Sequence, residues 1–259
     1  MVDSPQVDIT GDHHIHTLYC NHAKGGMEDY VLAAIRKGLS SMTFLEHLEC
    51  NISYDHRTWL TPELFTQYFQ EGRRLQELYK EKIQIQIGVE VGYNPDALQE
   101  IQDLLSRFPF EHIGLSFHFL KIGRNHINIV SRRQKNILAI RQAGPEQILN
   151  HYFDGLINAC SIISCDKICH LDAALRHLSD ICLTSYHHLQ INKLLHIMRQ
   201  QKIALEINTS GFDIRSAPYP SSTIINNALS LGIPLIAGSD AHNPDQVARG
   251  FDLLANTLP

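Results

Sequence analysis

The sequence predicts one α/β domain in which parallel strands and helices form a barrel. Short apolar runs alternate with segments of helical periodicity along the 259 residues, a pattern typical of parallel strands joined by crossover helices. No Pro/Ser/Gly-rich linker and no internal repeat divides the chain, so the domain is predicted to span residues 1–259. An open doubly wound sheet is the alternative, and it is disfavoured because no Gly-x-Gly-x-x-Gly follows the first strand.

Apolar periodicity and helix-end signals locate the individual elements. Thr61 and Pro62 predict a helix start, as a cap and a first-turn proline, and Gly38 and Gly232 are helix stop signals. Strands are predicted at residues 7–14, 41–45, 83–91, 113–119, 167–170, 203–207 and 234–238. Helices are predicted at residues 27–37, 61–80, 95–108, 145–164, 184–200 and 221–231, with 244–255 closing the chain. Residues 121–143 are basic and are predicted to be irregular.

Composition and charge exclude several classes of protein. The net charge of −5 argues against a nucleic-acid partner, which would require a basic excess. The chain has no long apolar run, so no membrane span is expected, and the N-terminus lacks the regions of a signal peptide. The six cysteines include no Cys-x-x-Cys pair, which favours reduced thiols in a cytoplasmic protein. The anomaly is the count of 16 histidines, against roughly six expected from average usage.

The segment from Asp12 to His16 carries the first chemical signal. It ends the first predicted strand, where successive side chains point to opposite faces, so Asp12, His14 and His16 share one face. Two imidazoles at this spacing on a rigid strand can hold one metal ion, and the aspartate can orient one of the rings. On its own the motif is weak, and ordinary surface or core histidines are the commoner explanation of such a pair.

The ends of the other predicted strands strengthen the metal interpretation. Each ends in a polar or metal-competent residue, and in a (β/α) barrel these ends converge on the active site. The residues are His14 and His16, His47, Glu90, His118, His170, Glu206 with Asn208, and Asp240 with His242. They exceed what one ion requires, so two to three divalent ions are expected, and mixed imidazole and carboxylate suits zinc, iron or manganese. A multinuclear centre of this kind predicts hydrolysis of a phosphoryl or acyl substrate.

In chain order, the motifs resemble the polymerase-and-histidinol-phosphatase (PHP) family, and most closely its histidinol-phosphatase branch. They are His14-x-His16-Thr17, Glu46-His47, Gly88-Val89-Glu90, Ser116-Phe117-His118-Phe119, His170-Leu171-Asp172, Glu206-Ile207-Asn208-Thr209-Ser210-Gly211 and Gly238-Ser239-Asp240-Ala241-His242. The resemblance implies a distorted (β/α)7 TIM-like barrel with a trinuclear site. It implies a first ion held by His14, His16, Glu90 and Asp240, a second held by Glu90, His118 and His170, and a third held by His22, His47 and His242. Spacing alone does not select His22.

The same resemblance implies hydrolysis of a small phosphomonoester, namely L-histidinol phosphate in histidine biosynthesis. Asp240, His242, Arg176 and Arg215 are the implied catalytic residues, and Arg176, Arg215 and Asn208 the implied substrate contacts. Both arginines could equally be solvated surface side chains, and Asn208 could be a loop-forming residue. The segment after Phe119 departs from the family pattern, which leaves open a nucleotide substrate. A non-catalytic PHP metal-binding module is the alternative outside the enzymes.

Overall fold

The computed structural model describes residues 7–178 and 180–257, and its main feature is a parallel sheet that curves into a barrel. Within these ranges seven strands pair in the order β1-β2-β3-β4-β7-β8-β9, with parallel register throughout. They are β1 (Gly11–Ile15), β2 (Ser41–Leu48), β3 (Gln84–Gly92), β4 (Ile113–Ser116), β7 (Lys167–Ile168), β8 (Ala204–Asn208) and β9 (Leu235–Gly238). Both ends of the predicted domain, 1–259, extend beyond the described residues.

Contacts between the first and last strands close the barrel. Asp8 bridges to Ile236 and Ile15 bridges to Ala241, both in parallel. The amide of His16 also donates to the carbonyl of Ala241 at 2.9 Å. A doubly wound sheet would instead have two open edges and a reversal of strand order. The predicted seven-stranded TIM-like barrel is therefore confirmed.

Helices cover the outside of the barrel and match the sequence prediction closely. Thr61 caps α2, accepting a hydrogen bond from the amide of Leu64, and Pro62 occupies the first turn as predicted. The major crossover helices are α1 (Met27–Arg36), α2 (Pro62–Tyr79), α3 (Leu98–Arg107), α5 (Pro145–Ile162), α6 (Ser185–Gln201) and α8 (Ser222–Ser230). Two shorter helices, α7 (Phe212–Arg215) and α9 (Phe251–Thr257), flank β9 in the chain. No helix among the described residues is long and apolar enough to cross a membrane.

The region after β4 differs from the prediction. The predicted strand 113–119 ends at Ser116, and the basic segment 121–143 is ordered rather than irregular. It forms an antiparallel hairpin of β5 (Phe119–Ile122) and β6 (Asn125–Asn128), followed by α4 (Gln134–Ala143). Gly123 supplies the positive φ of 63° in the tight turn. The hairpin was not predicted because its strands are short and its sequence is rich in charge. Its basic side chains pair with acids elsewhere in the fold, such as Lys121 with Asp96.

Strand alternation separates the core from the site. In β3, Ile87, Val89 and Val91 are fully buried, with Ile87 against α2, while Glu90 faces the barrel interior. Because the register is parallel throughout, inward-facing residues at the ends of the strands gather at one mouth of the barrel.

Candidate metal centre and active site

The end of β1 places two imidazoles side by side in the barrel interior. His14 and His16 are both fully buried, and their Nε2 atoms lie 2.9 Å apart. His13 points the other way, with its Nδ1 atom 2.9 Å from the hydroxyl of Thr43. The predicted alternation is therefore confirmed.

Asp12 has a different role from the one predicted. Its carboxylate accepts hydrogen bonds from the backbone amides of Ser239 at 2.9 Å and Ala248 at 2.7 Å, and it contacts no ligand imidazole. The prediction that it orients a ring is wrong. Asp12 lies where the first and last strands of the barrel meet, so the donors nearest to its carboxylate are backbone amides of the segment after β9.

Four side chains surround one point at the mouth of the barrel. Glu90 Oε2 lies 3.5 Å from the Nε2 atoms of both His14 and His16. The Oδ1 atom of Asp240 lies 3.8 Å from His14 Nε2 and 3.4 Å from His16 Nε2. Two ligand atoms of a tetrahedral zinc ion are separated by about 3.4 Å. We call His14, His16, Glu90 and Asp240 the buried cage, and its spacing fits a divalent ion.

Glu90 faces a second group with its other oxygen. Its Oε1 atom lies 2.7 Å from His170 Nε2 and 3.2 Å from His118 Nε2. Its Oε2 atom faces the buried cage and lies 2.8 Å from His47 Nδ1, but the two atoms are not aligned for a hydrogen bond, and Oε2 has no hydrogen-bond partner among the described residues. A fully buried carboxylate oxygen without a partner is costly unless a cation compensates it. This is the arrangement that a bridging carboxylate requires.

A third group is more open to solvent. The Nε2 atoms of His22 and His242 lie 2.8 Å apart. Each ring donates its Nδ1 hydrogen to a backbone carbonyl, of Cys20 at 2.9 Å and of Asp240 at 3.0 Å respectively, and this leaves Nε2 free to bind a cation. We call His22 and His242 the open pair. His47, predicted to belong with them, lies between the groups, since its ring stacks on His16 and its Nδ1 atom is 2.8 Å from Glu90.

Two buried carboxylates hold the outer nitrogens of ligand imidazoles. Glu206, which the sequence places at a strand end, accepts from His14 Nδ1 at 2.8 Å and is itself paired with the fully buried Lys167 at 2.5 Å. Glu49 contacts His118 Nδ1 at 2.8 Å. A Cβ at Gly92 would meet the Glu49 carboxylate at 2.1 Å, so the glycine makes room for that group. Sequence reasoning missed Glu49 and Lys167, although Glu49 directly follows the predicted β2 motif.

The protonation states at the centre differ from group to group. Burial and neighbouring imidazoles lower the pKa of His22 to about 3, and burial lowers that of His242 to about 4, so both rings are neutral. Although burial opposes it, the surrounding imidazoles hold the pKa of Glu90 well below its usual range. Against the same desolvation, Glu90 and Glu49 raise the pKa of His118 to about 10. In the metal-free protein His118 therefore carries a proton, which a cation bound beside Glu90 would have to displace. Carboxylates together with imidazoles form a donor set that suits zinc, manganese or iron.

The predicted phosphate-binding arginines occupy two different environments. Arg176 lines the cavity at the barrel mouth and has no carboxylate partner within the described part of the chain. Arg215 lies outside the cavity lining and pairs with the buried Asp172 through two hydrogen bonds of 3.0 and 3.1 Å. Both guanidinium groups contact the ring of Tyr219, at 5.2 and 4.0 Å from its centroid. Arg215 is therefore placed to support Arg176 through this ring.

Asn208 is buried away from the cavity. Its side chain donates to Glu206 at 2.6 Å and accepts from the backbone amide of Ser210 at 3.1 Å. The structure thus places it behind His14 and not among the residues that could contact a substrate in the cavity.

The cavity itself has a volume of about 630 Å³, large enough for a small organic phosphate. Its floor is formed by the predicted ligands other than the fully buried His14 and His16, and sequence reasoning missed most of its wall. The wall includes Tyr54, His56, Arg132, Arg133, His177, Asp213, Gln246 and Arg249. Arg132 and Arg133 follow the unpredicted hairpin, and Arg249 follows the last predicted motif by several residues, so no local pattern singled them out.

Comparisons with known proteins agree with this geometry. The family model described as PHP domain matches residues 12–210. A protein of Deinococcus radiodurans named as a probable histidinol-phosphatase is 27% identical over 244 residues, covering 93% of this chain and 89% of its own.

Two solved structures share the fold. A Listeria monocytogenes protein assigned as a histidinol phosphatase superposes with a TM-score of 0.85 at 21% identity, over 94% of this chain and 99% of its own. The histidinol phosphate phosphatase of Lactococcus lactis, in complex with zinc, L-histidinol and phosphate, gives 0.74 at 21% identity, over 95% and 92%.

Proposed function

This chain belongs to the PHP family, and from that premise we propose that it hydrolyses L-histidinol phosphate to L-histidinol and inorganic phosphate, a step of histidine biosynthesis. The observation that carries the proposal is the convergence of imidazoles and carboxylates on one cavity of about 630 Å³ or its immediate surroundings. They come from all seven strands of the barrel or from the residues that follow them. The names of the relatives, and the zinc, L-histidinol and phosphate bound to the Lactococcus lactis protein, support the choice of substrate.

The proposal includes two to three divalent ions of zinc, manganese or iron. The buried cage would hold the first. Glu90 would share the second with His118 and His170, and the open pair with His47 would hold the third, which makes the site trinuclear. Such ions, when bound, activate water and offset the negative charge of a phosphoryl group.

The protein's own side chains then position the phosphate. Arg176 is placed to contact it, because its guanidinium lines the cavity and forms no ion pair with a described carboxylate. Arg215 would act on turnover through Tyr219, and Asn208 through Glu206 and His14. Asp240 and His242 would contribute as ligands facing the reacting group.

Two alternatives make different demands on this site. A nucleotide or other phosphomonoester would use the same ions and Arg176, and would differ in its contacts with the wall formed by residues 130–133. A non-catalytic module would need none of the cavity's cationic lining. The proposed cytoplasmic location is supported by the cysteines, each of which lies within the described ranges and is a free thiol.

The decisive experiment is a phosphatase screen of small phosphomonoesters, with metal content measured on the same sample. We expect a kcat/KM for L-histidinol phosphate at least tenfold above that for nucleoside monophosphates, a difference of about 1.4 kcal/mol in transition-state stabilisation. Arg176→Ala should lower turnover of every substrate, because it removes a contact to the shared phosphate. Preference for a nucleotide would contradict the proposal that L-histidinol phosphate is the substrate. If the metal-replete protein hydrolysed none of the esters, the proposal that it is a phosphatase would be wrong.

A further inference from the structure

The segment after β9, residues 239–242, must orient two side chains at once, because it carries predicted ligands for two different groups. Asp240 completes the buried cage and His242 belongs to the open pair. Asp240 does so with a φ of 52°, in the left-handed region that non-glycine residues adopt at a cost. A strained peptide persists only where its surroundings hold it, so the contacts around residues 239–242 matter for both groups.

Arg249 provides those contacts from the cavity wall. Its Nε atom donates to the carbonyl of Ser239 at 2.9 Å, and its Nη2 atom donates to the carbonyl of Asp240 at 3.0 Å. The planar guanidinium thus spans two consecutive carbonyls and fixes the orientation of both peptides. The carbonyl of Asp240 also accepts the Nδ1 hydrogen of His242 at 3.0 Å, so one oxygen links Arg249 to the ring of the open pair.

The remaining contacts of Arg249 distinguish this function from a surface ion pair. Its Nη1 atom donates to Asp213 at 2.9 Å, but the Asp213 side chain is 63% exposed while that of Arg249 is 19% exposed. Exposed pairs of this kind contribute little to stability. On the opposite side, Asp12 ties the amides of Ser239 and Ala248 together, so Arg249 and its two carbonyls belong to one fixed unit.

We propose that Arg249 is a positioning residue that presets Asp240 and His242 for ion binding. The inference rests on the proposed function, because it presumes that these side chains bind ions. A lysine at this position keeps the positive charge but cannot span both carbonyls. Without the two hydrogen bonds from the guanidinium, the Asp240 carbonyl should be free to reorient, and so should the His242 ring that donates to it. The most weakly held ion should be affected first.

The test measures zinc affinity directly, by competition with a chelator, for the full chain and its variants. Arg249→Lys should weaken binding of the most weakly held ion at least tenfold, and Arg249→Gln, which can reach only one carbonyl and loses the charge, should weaken it at least as much. The zinc concentration for half-maximal turnover should rise by the same factor. Asp213→Asn is the matched control. It alters the same guanidinium's outer contact and should leave zinc affinity within twofold.

Each result decides the matter. Zinc affinity of folded Arg249→Lys within twofold of the unmodified chain overturns the proposal, as does an equal loss in Asp213→Asn. If the metal-free variants unfold where the metal-free unmodified chain does not, Arg249 braces the fold in general and the specific function is contradicted. If the unmodified chain binds no zinc, the proposed function fails instead, which separates the two failures.

Discussion

The buried cage and the open pair use the same ligand chemistry in opposite surroundings. In the cage, His14 and His16 are inaccessible to solvent, and His14 is held by Glu206, which is itself paired with Lys167. In the open pair, backbone carbonyls alone orient the rings, and the His242 side chain is 26% exposed. Preorganised ligands lose little freedom on binding, and buried ones resist exchange with water. The comparison teaches that the ion sites should differ in affinity in spite of similar ligands, with the open pair the weaker.

Glu90→Gln should have the largest effect, because this side chain serves both the cage and the second group. The neutral amide removes the negative charge that offsets repulsion between two cations. We expect loss of two ions together and a fall in kcat of at least about 100-fold, measured by elemental analysis and phosphatase assay. Glu77→Gln is the control, since its carboxylate is 76% exposed. Loss of a single ion would show that Glu90 does not bridge.

Lys167→Met should have the next largest effect, on stability. The variant leaves Glu206 charged and fully buried without its ammonium partner, and breaking a buried pair costs about 3 kcal/mol. Urea unfolding of the metal-free protein measures this, and affinity for the first ion should fall as well. Lys121→Met breaks the exposed pair with Asp96 and should change stability far less. Equal changes in the two variants would mean that the cage has no special support.

His22→Ala should have the smallest effect, confined to the open pair. We expect the most weakly held ion to bind at least about tenfold less tightly, which is about 1.4 kcal/mol, while the other ions stay bound. Dialysis against graded chelator followed by elemental analysis would resolve this. His151→Ala, on the exposed side of α5, is the matched control. Simultaneous loss of all ions would contradict independent sites and remove the contrast with the cage.

The sequence predicts the ligands much better than it predicts their surroundings. Strand alternation and convergence at the barrel mouth locate His14, His16 and Glu90, because both follow from local geometry. Glu49 and Lys167 escape prediction because each acts on a residue far along the chain. Family resemblance was needed for His22, which lies on a loop without periodicity. Most of the cavity wall escaped prediction, since the hairpin's short strands and basic charge resemble those of a surface loop.

The space left by Gly92 has a further consequence. A methyl group there would overlap the Glu49 carboxylate at 2.1 Å, and at Gly238 it would come within 2.7 Å of the His14 Cβ atom. At both positions the absence of a side chain on one strand therefore makes room for a group that comes from another strand. A transplant of this centre into another barrel that copied only imidazoles and carboxylates would fail, because the receiving strands would also need these two vacancies.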